Sequence, residues 1–263
     1  MKCISGNLEK IFNLQDKVAV VIGGGGHLCS AMAEGLAMAG ASLVIVDIKI
    51  DKAKKVSNEL KEKFDVKILY LEADVTDEKS LAAVLDNSLK EFEKIDILVN
   101  GAGINSPKPF LDISLDEWNQ VMNSQITGTM LGCKTFAPHM IKNKSGSIIN
   151  ISSASAGPPL SKAFAYSVAK AGIKNLTMNL AREWAEYNVR VNAIRPGFFP
   201  TDWNKKNFIT PKREKAILSH TPMGRYGENY ELIGSTIWLA SNASSFVTGS
   251  EVTVDGGFSC MTI

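Results

Sequence analysis

Tyr166 and Lys170 stand four residues apart in AFAYSVAKAGIKNLTMNLAREWAEY. The stretch has helical character, so the two side chains project from one helical face. Just upstream, the apolar run SIINIS ends in Ser152 and Ser153, where a buried parallel strand delivers polar groups to a ligand crevice. A phenol beside an ammonium and a hydroxyl can exchange a proton with a substrate, because the cation favours the phenolate and draws a pKa of about 10 towards neutrality. The same residues also suit an ordinary amphipathic helix with a surface lysine. Which of the two holds depends on what the other elements bring to them.

Those elements alternate. KVAVVIGG is a β-branched run closed by glycines, and HLCSAMAEGLAMAG follows with helical spacing of Leu28, Met32 and Leu36 until Gly40. The run SLVIVD ends at Asp47, a charged helix from Lys52 to Phe64 follows, and VKILYLEAD is the third strand. A helix from about Asp77 to Phe92, the run IDILVNGAG, a long helix around Trp118 to Met140, SIINISS, the tyrosine-lysine helix and VRVNAIRPG continue the pattern. A less regular region from Phe198 to Gly227 precedes a helix from Tyr230 to Ala240 and the last strand, EVTVDGG. Such alternation predicts an α/β fold: a single-domain Rossmann fold over residues 1–263, with a doubly wound parallel sheet of about seven strands and helices on both faces.

At the first strand's end, Gly23 to Gly26 let backbone N–H groups approach a pyrophosphate that faces the following helix N-terminus. The strict G-x-G-x-x-G spacing is only partly met, since His27 and Cys29 stand where further glycines are expected. A plain strand-to-helix turn would look similar. Asp47 adds weight: at the end of the second strand its carboxylate can accept hydrogen bonds from an adenosine ribose and repel a 2′-phosphate. NAD is therefore expected over NADP, although Lys49 lies close enough to leave room for the latter.

The formal net charge of +2, with 45% hydrophobic and 21% charged residues in 263, lacks the basic excess of a nucleic-acid binder. Cys3, Cys29, Cys133 and Cys260 form no CxxC pair, so neither a zinc site nor a disulfide framework is expected, and a reduced, cytoplasmic setting fits. MKCISGNLEKIFNLQDK lacks the apolar core of a signal peptide, and no later run approaches about 18 uninterrupted apolar residues, so no membrane partner is expected.

The glycine turn, Asp74-Val75, NGAG from Asn100 to Gly103, the serine strand, YSVAK, RPGFFPT and the closing VDGG occur in an order and spacing that resemble the short-chain dehydrogenase/reductase family from Lys17 to Phe258. The resemblance implies NAD(P)-dependent interconversion of an alcohol and a ketone, with Ser153, Tyr166 and Lys170 catalytic. It places Asp74 and Val75 at the adenine, Asn100 at the ribose-side wall and Thr201 at the nicotinamide amide. It also implies cofactor contacts from Gly23, Gly25, Gly26, His27, Leu28, Gly101, Ala102, Pro196, Gly197 and Phe199. Ser153 rather than Ser152 has the family's spacing to the tyrosine, which leaves Ser152 to packing or backbone bonding.

One departure concerns the proton path. Where the family carries an asparagine that supports a relay water through a local helix distortion, QITG places Gln125, whose amide is one methylene longer. The resemblance makes Gln125 a catalytic substitute in that relay, with helix packing as the alternative. Asn123, two positions away, faces another side of the helix. The stretch from about 198 to 227 occupies the family's substrate lid, where Trp203, Asn204, Lys205, Lys206 and His220, with Asn105 from the loop after NGAG, are candidates to surround a hydroxylated or carboxylated small molecule. GGGGHLCS, GFFPTDWN, HTPMGR and VDGGF are similar to the sugar-acid branch, which includes D-mannonate oxidoreductases and gluconate dehydrogenases. The family commonly forms homotetramers, and Met122, Met130, Leu131, Phe136, Leu176, Met178 and Leu180 exceed one narrow apolar stripe. The alternative is a nucleotide-binding regulatory protein of the same fold with impaired turnover.

Overall fold

The computed structural model describes residues 8–201 and 209–261. β1 (Val18–Ile22), β2 (Ser42–Asp47), β3 (Ile68–Glu72), β4 (Ile97–Asn100), β5 (Gly146–Ile151), β6 (Val189–Pro196) and β7 (Glu251–Val254) form one sheet in the order β3-β2-β1-β4-β5-β6-β7, with every pair parallel. All five residues of β1 and all four of β4 are buried, which is why these runs are apolar throughout instead of alternating.

Helices cover both faces. α1 (His27–Met38) and α2 (Ile50–Lys63) pack Met32, Leu36, Val56 and Leu60 on one face. α3 (Glu78–Phe92) covers the other with Leu81 and Val84. The expected long helix around Trp118 to Met140 is three pieces. α4 (Leu115–Met122) starts at a capping box between Ser114 and Glu117, a π-helical segment follows over Asn123–Thr127, and α5 (Gly128–Lys142) completes it. α6 (Phe164–Trp184) carries Tyr166 in its first turn and Lys170 one turn later. The region expected to be irregular contains α7 (Pro211–Ser219), which has proline at its first turn and Thr210 as an N-cap accepting from the Arg213 N–H. α8 (Ile233–Ala240) is entered through a 3₁₀ turn over Asn229–Leu232 rather than starting at Tyr230.

The chain winds outward from β1 through β2 to β3, then returns to place β4 on β1's other side, so the winding reverses between β1 and β4. Ile22 pairs with Asn100 at that boundary. The two turns leaving these strands meet above it: Gly23 has φ +78° and a Cβ there would lie 2.8 Å from the Ala102 nitrogen. Ligands bind at such a reversal because the diverging loops leave a crevice at the carboxyl ends of the strands.

Candidate active site

The crevice is a cleft of about 480 Å³. Its lining includes Gly23, Gly26, His27 and Leu28 from the first turn, Gly101 and Asn105 from the second, and Gln125, Ser153, Tyr166 and Lys170. Pro196, Gly197, Phe199 and Thr201 close it from the end of β6. Residues more than a hundred positions apart are thereby brought to one wall.

β5 ends in the serines, and the two have different uses. Ser152 turns away and donates its hydroxyl to Glu251 at 2.6 Å. The Ser153 Oγ accepts from the Ser155 N–H at 3.2 Å and from the Ser155 hydroxyl at 3.1 Å. Its own proton is left for the Tyr166 oxygen, an interaction that holds the phenol down. Burial outweighs it, so the Tyr166 pKa lies above its ordinary value of 10.0. This corrects the expectation that Lys170 draws the phenol towards neutrality. The Lys170 side chain passes over the Tyr166 ring, with Nζ 5.4 Å from the ring centroid, and donates to the Ile151 carbonyl at 2.6 Å. It is only 4% exposed. Desolvation brings its pKa down from 10.5 to about 8, opposed by the nearby Cys29 thiol.

Gln125, 3% exposed, projects inward from the π-helical segment, whereas Asn123 remains exposed. The Gln125 Nε2 donates to the Ile104 carbonyl at 2.9 Å, while Oε1 is buried with no hydrogen-bond partner. Gly103, at φ +152°, leaves the room this amide occupies; a Cβ there would collide with it.

Asp47 stands beside the glycine turn. Its Oδ2 accepts from the Gly25 N–H at 3.2 Å and its Oδ1 from the Lys49 N–H at 3.0 Å. Asp74 shapes its turn by accepting both the N–H and the hydroxyl of Thr76, at 2.8 and 2.7 Å, and Val75 packs beneath Gly128. Asn100 does not reach the cleft with its side chain: Nδ2 donates to Asn150 Oδ1 at 2.9 Å, and Asn150 donates to Thr177 at 3.0 Å. Its amide ties β4 to β5 across the sheet. His27 shares a 3.0 Å contact between its Nδ1 and the Asn229 amide. His220 packs edge-on against Phe258, with ring centroids 5.0 Å apart, and is not part of the cleft lining. Trp203, Asn204, Lys205 and Lys206 lie outside the described residues.

The lining also contains polar residues that the sequence did not single out, among them Ser155, Lys162 and Arg213. Ser155 had a signal, since SSAS places a second hydroxyl two positions after Ser153 on a turn. Arg213 became visible only with α7, and Lys162 only with the loop that precedes α6 at φ +57°. Among the described residues no cluster of histidine, cysteine, aspartate or glutamate has the form of a metal site.

A family profile described as enoyl-(acyl carrier protein) reductase matches residues 27–259. The chain belongs to the short-chain dehydrogenase/reductase family. It is 39% identical to an uncharacterised oxidoreductase, UxuB, of Bacillus subtilis, over 94% of this chain and 96% of that one. It is 37% identical to the 2-dehydro-3-deoxy-D-gluconate 5-dehydrogenase of Dickeya dadantii, over 94% and 97%. Among solved structures, the gluconate 5-dehydrogenase of Burkholderia cenocepacia in complex with NADP and tartrate superposes with a TM-score of 0.92 at 31% identity, covering 97% of this chain and 100% of that one. The chain is accordingly an oxidoreductase acting on alcohol groups, and its sequence falls in the sugar-acid branch of the family.

Proposed function

We propose that this short-chain dehydrogenase/reductase interconverts a secondary alcohol and a ketone on a polar sugar acid or polyol, of the D-mannonate/D-fructuronate or gluconate type, with NAD as cofactor. The observation that carries the reading is the convergence of Ser153, Tyr166 and Lys170 on one cleft beside the glycine turn, with the cations Lys162 and Arg213 in its lining. A carboxylated substrate meets positive charge there, and Asn105 adds an amide able to bond hydroxyls.

The residues present fit a nicotinamide dinucleotide. Gly23 and Gly101 leave no room for side chains where the two turns converge, and α1 begins without a side-chain cap, so its backbone N–H groups are available to an anion. Asp47 presents a carboxylate at the end of β2, the place where ribose hydroxyls are recognised. When bound, the nicotinamide supplies or accepts the hydride. Tyr166 gives a proton to the ketone oxygen in reduction and takes it back in oxidation. Ser153, fixed by Ser155, is placed to hydrogen-bond the same oxygen. Lys170, held on the Ile151 carbonyl, keeps a buried donor against the tyrosine ring and in the cleft lining, where it can bond the nicotinamide ribose. The orphan Oε1 of Gln125 is a free acceptor for the proton path to solvent.

The preference for NAD rests on Asp47; the Burkholderia relative with NADP weighs the other way. We also propose a homotetramer. Leu131 and Phe136 belong to the core, but Met130 and Met178 are exposed on α5 and α6, which supports a second copy covering these helices. Free Cys29 and Cys133, both buried, accord with a cytoplasmic setting, and no described helix is long and apolar enough to cross a membrane. Turnover with NADH and NADPH across a panel of keto-sugar acids tests the substrate reading, with Tyr166→Phe as control. Activity on steroids or acyl thioesters without sugar-acid turnover would sink it. A lone monomer in light scattering would remove the tetramer.

A further inference from the structure

Glu251 begins β7, outside the cleft, yet its carboxylate joins the elements that carry the reacting groups. Its Oε1 accepts the Ser152 hydroxyl at 2.6 Å. Its Oε2 meets Arg195 NH1 at 3.3 Å and the Lys174 ammonium at 3.5 Å. Ser152 adjoins Ser153, and Lys174 stands one helical turn beyond Lys170 on α6. Arg195 completes the frame by donating from NH2 to the Ala154 carbonyl at 3.2 Å, on the other side of Ser153. The guanidinium lies against Gly157, where a Cβ would overlap NH2.

The Arg195 and Glu251 side chains are only 10% and 9% exposed. A charge pair at that depth is a poor source of stability, because desolvation offsets most of its attraction, and an apolar pair of similar volume would serve the fold as well. Its geometry has a consequence an apolar pair could not reproduce. Four directed contacts fix the backbone before and after Ser153 and tie that turn to the helix bearing Tyr166 and Lys170. A displacement of about 1 Å between reacting groups can cost on the order of a hundredfold in rate.

We infer that Glu251 and Arg195 are positioning residues, a buried ionic clamp that sets the Ser153 turn against the Tyr166–Lys170 helix. The inference rests on the catalytic reading of those three residues. Tyr166→Phe separates the two: full activity in that variant would defeat the catalytic reading, whatever the clamp does.

The test compares Glu251→Gln, Glu251→Ala and Arg195→Lys for NADH affinity by fluorescence, for kcat and KM, and for the deuterium isotope effect with deuterated NADH. Gln keeps an acceptor for Ser152 but leaves two cations without their counter-charge. Lys keeps the charge but loses the fork that reaches both Glu251 and Ala154. The expected result is a fall in kcat of about tenfold for Glu251→Gln and Arg195→Lys, and more for Glu251→Ala, with NADH affinity held within about twofold. The isotope effect is expected to rise, because a misplaced serine slows the chemical step. A role confined to stability would lower the unfolding midpoint and leave kcat per cofactor-binding site and the isotope effect unchanged; that outcome overturns the proposal. Should these variants not fold, Ser152→Ala and Lys174→Met each remove a single contact to Glu251. A kcat reduced about threefold in either supports the clamp, and an unchanged kcat and isotope effect in both refute it.

Discussion

Lys170 is a buried cation, and its removal should change how stability depends on pH. Burial depresses its pKa from 10.5 to about 8. Below about pH 8 the folded protein therefore carries a charge that the unfolded chain accommodates more easily in water. As pH rises from about 8 to 10.5, the folded state releases this proton while the unfolded state retains it, so stability gains relative to a variant without the group. At about 1.4 kcal/mol for each pH unit of difference, the gain is about 3 kcal/mol. Cys29 and Cys133, pushed up to about 12 by burial, act in the opposite direction at high pH because the unfolded thiols ionise first. Lys170→Met retains both thiols, so their effect largely cancels in the comparison, apart from the weak coupling of Cys29 to Lys170. Urea unfolding of both proteins, without added cofactor, at one protein concentration and at pH values from 7 to 11, gives the difference directly. The stability of the native protein minus that of Lys170→Met should rise by about 3 kcal/mol across this interval. A difference that stays flat, or falls, would refute the assignment of a desolvated ammonium at this position.

Asp47→Ala removes the carboxylate that accepts from Gly25 and Lys49; NADH affinity should fall by about tenfold and the NADH-to-NADPH preference should move towards NADPH, as measured by titration with each. Gly103→Ala forces a side chain onto the Gln125 amide at φ +152°, and should cost about 1–3 kcal/mol in urea unfolding together with a loss of kcat. Phe136→Ala opens the packing between α5 and the sheet, where this ring is fully buried. Its unfolding free energy should fall by about 3–5 kcal/mol, while the NADH affinity of the folded fraction stays unchanged.

The strands were legible because a sheet covered on both faces demands unbroken apolar runs, and β1, β2 and β4 supply them. The reach of Tyr166 and Lys170 from one helical face was legible for a similarly local reason. α7 was hidden by its own charge: Lys212, Arg213, Glu214 and Lys215 mask a helix whose start is marked by Thr210 and Pro211. The π-helical segment has no local mark either, since an inserted residue leaves composition and spacing nearly as in an α-helix. Its expectation came from family resemblance.

Asn100 shows where local reading stops. In NGAG it looks like a polar group offered to a ligand, but Asn150 consumes its amide across the sheet. That pairing depends on the register of β4 and β5, which are far apart in the chain. The acid/base pair divides in the same way. Spacing by itself determined that Tyr166 and Lys170 share a helix face, because helical periodicity is a property of neighbouring residues. Only the tertiary structure decided their protonation balance. Desolvation by distant segments raises the tyrosine and lowers the lysine, and the Ile151 carbonyl at the end of β5 claims the ammonium.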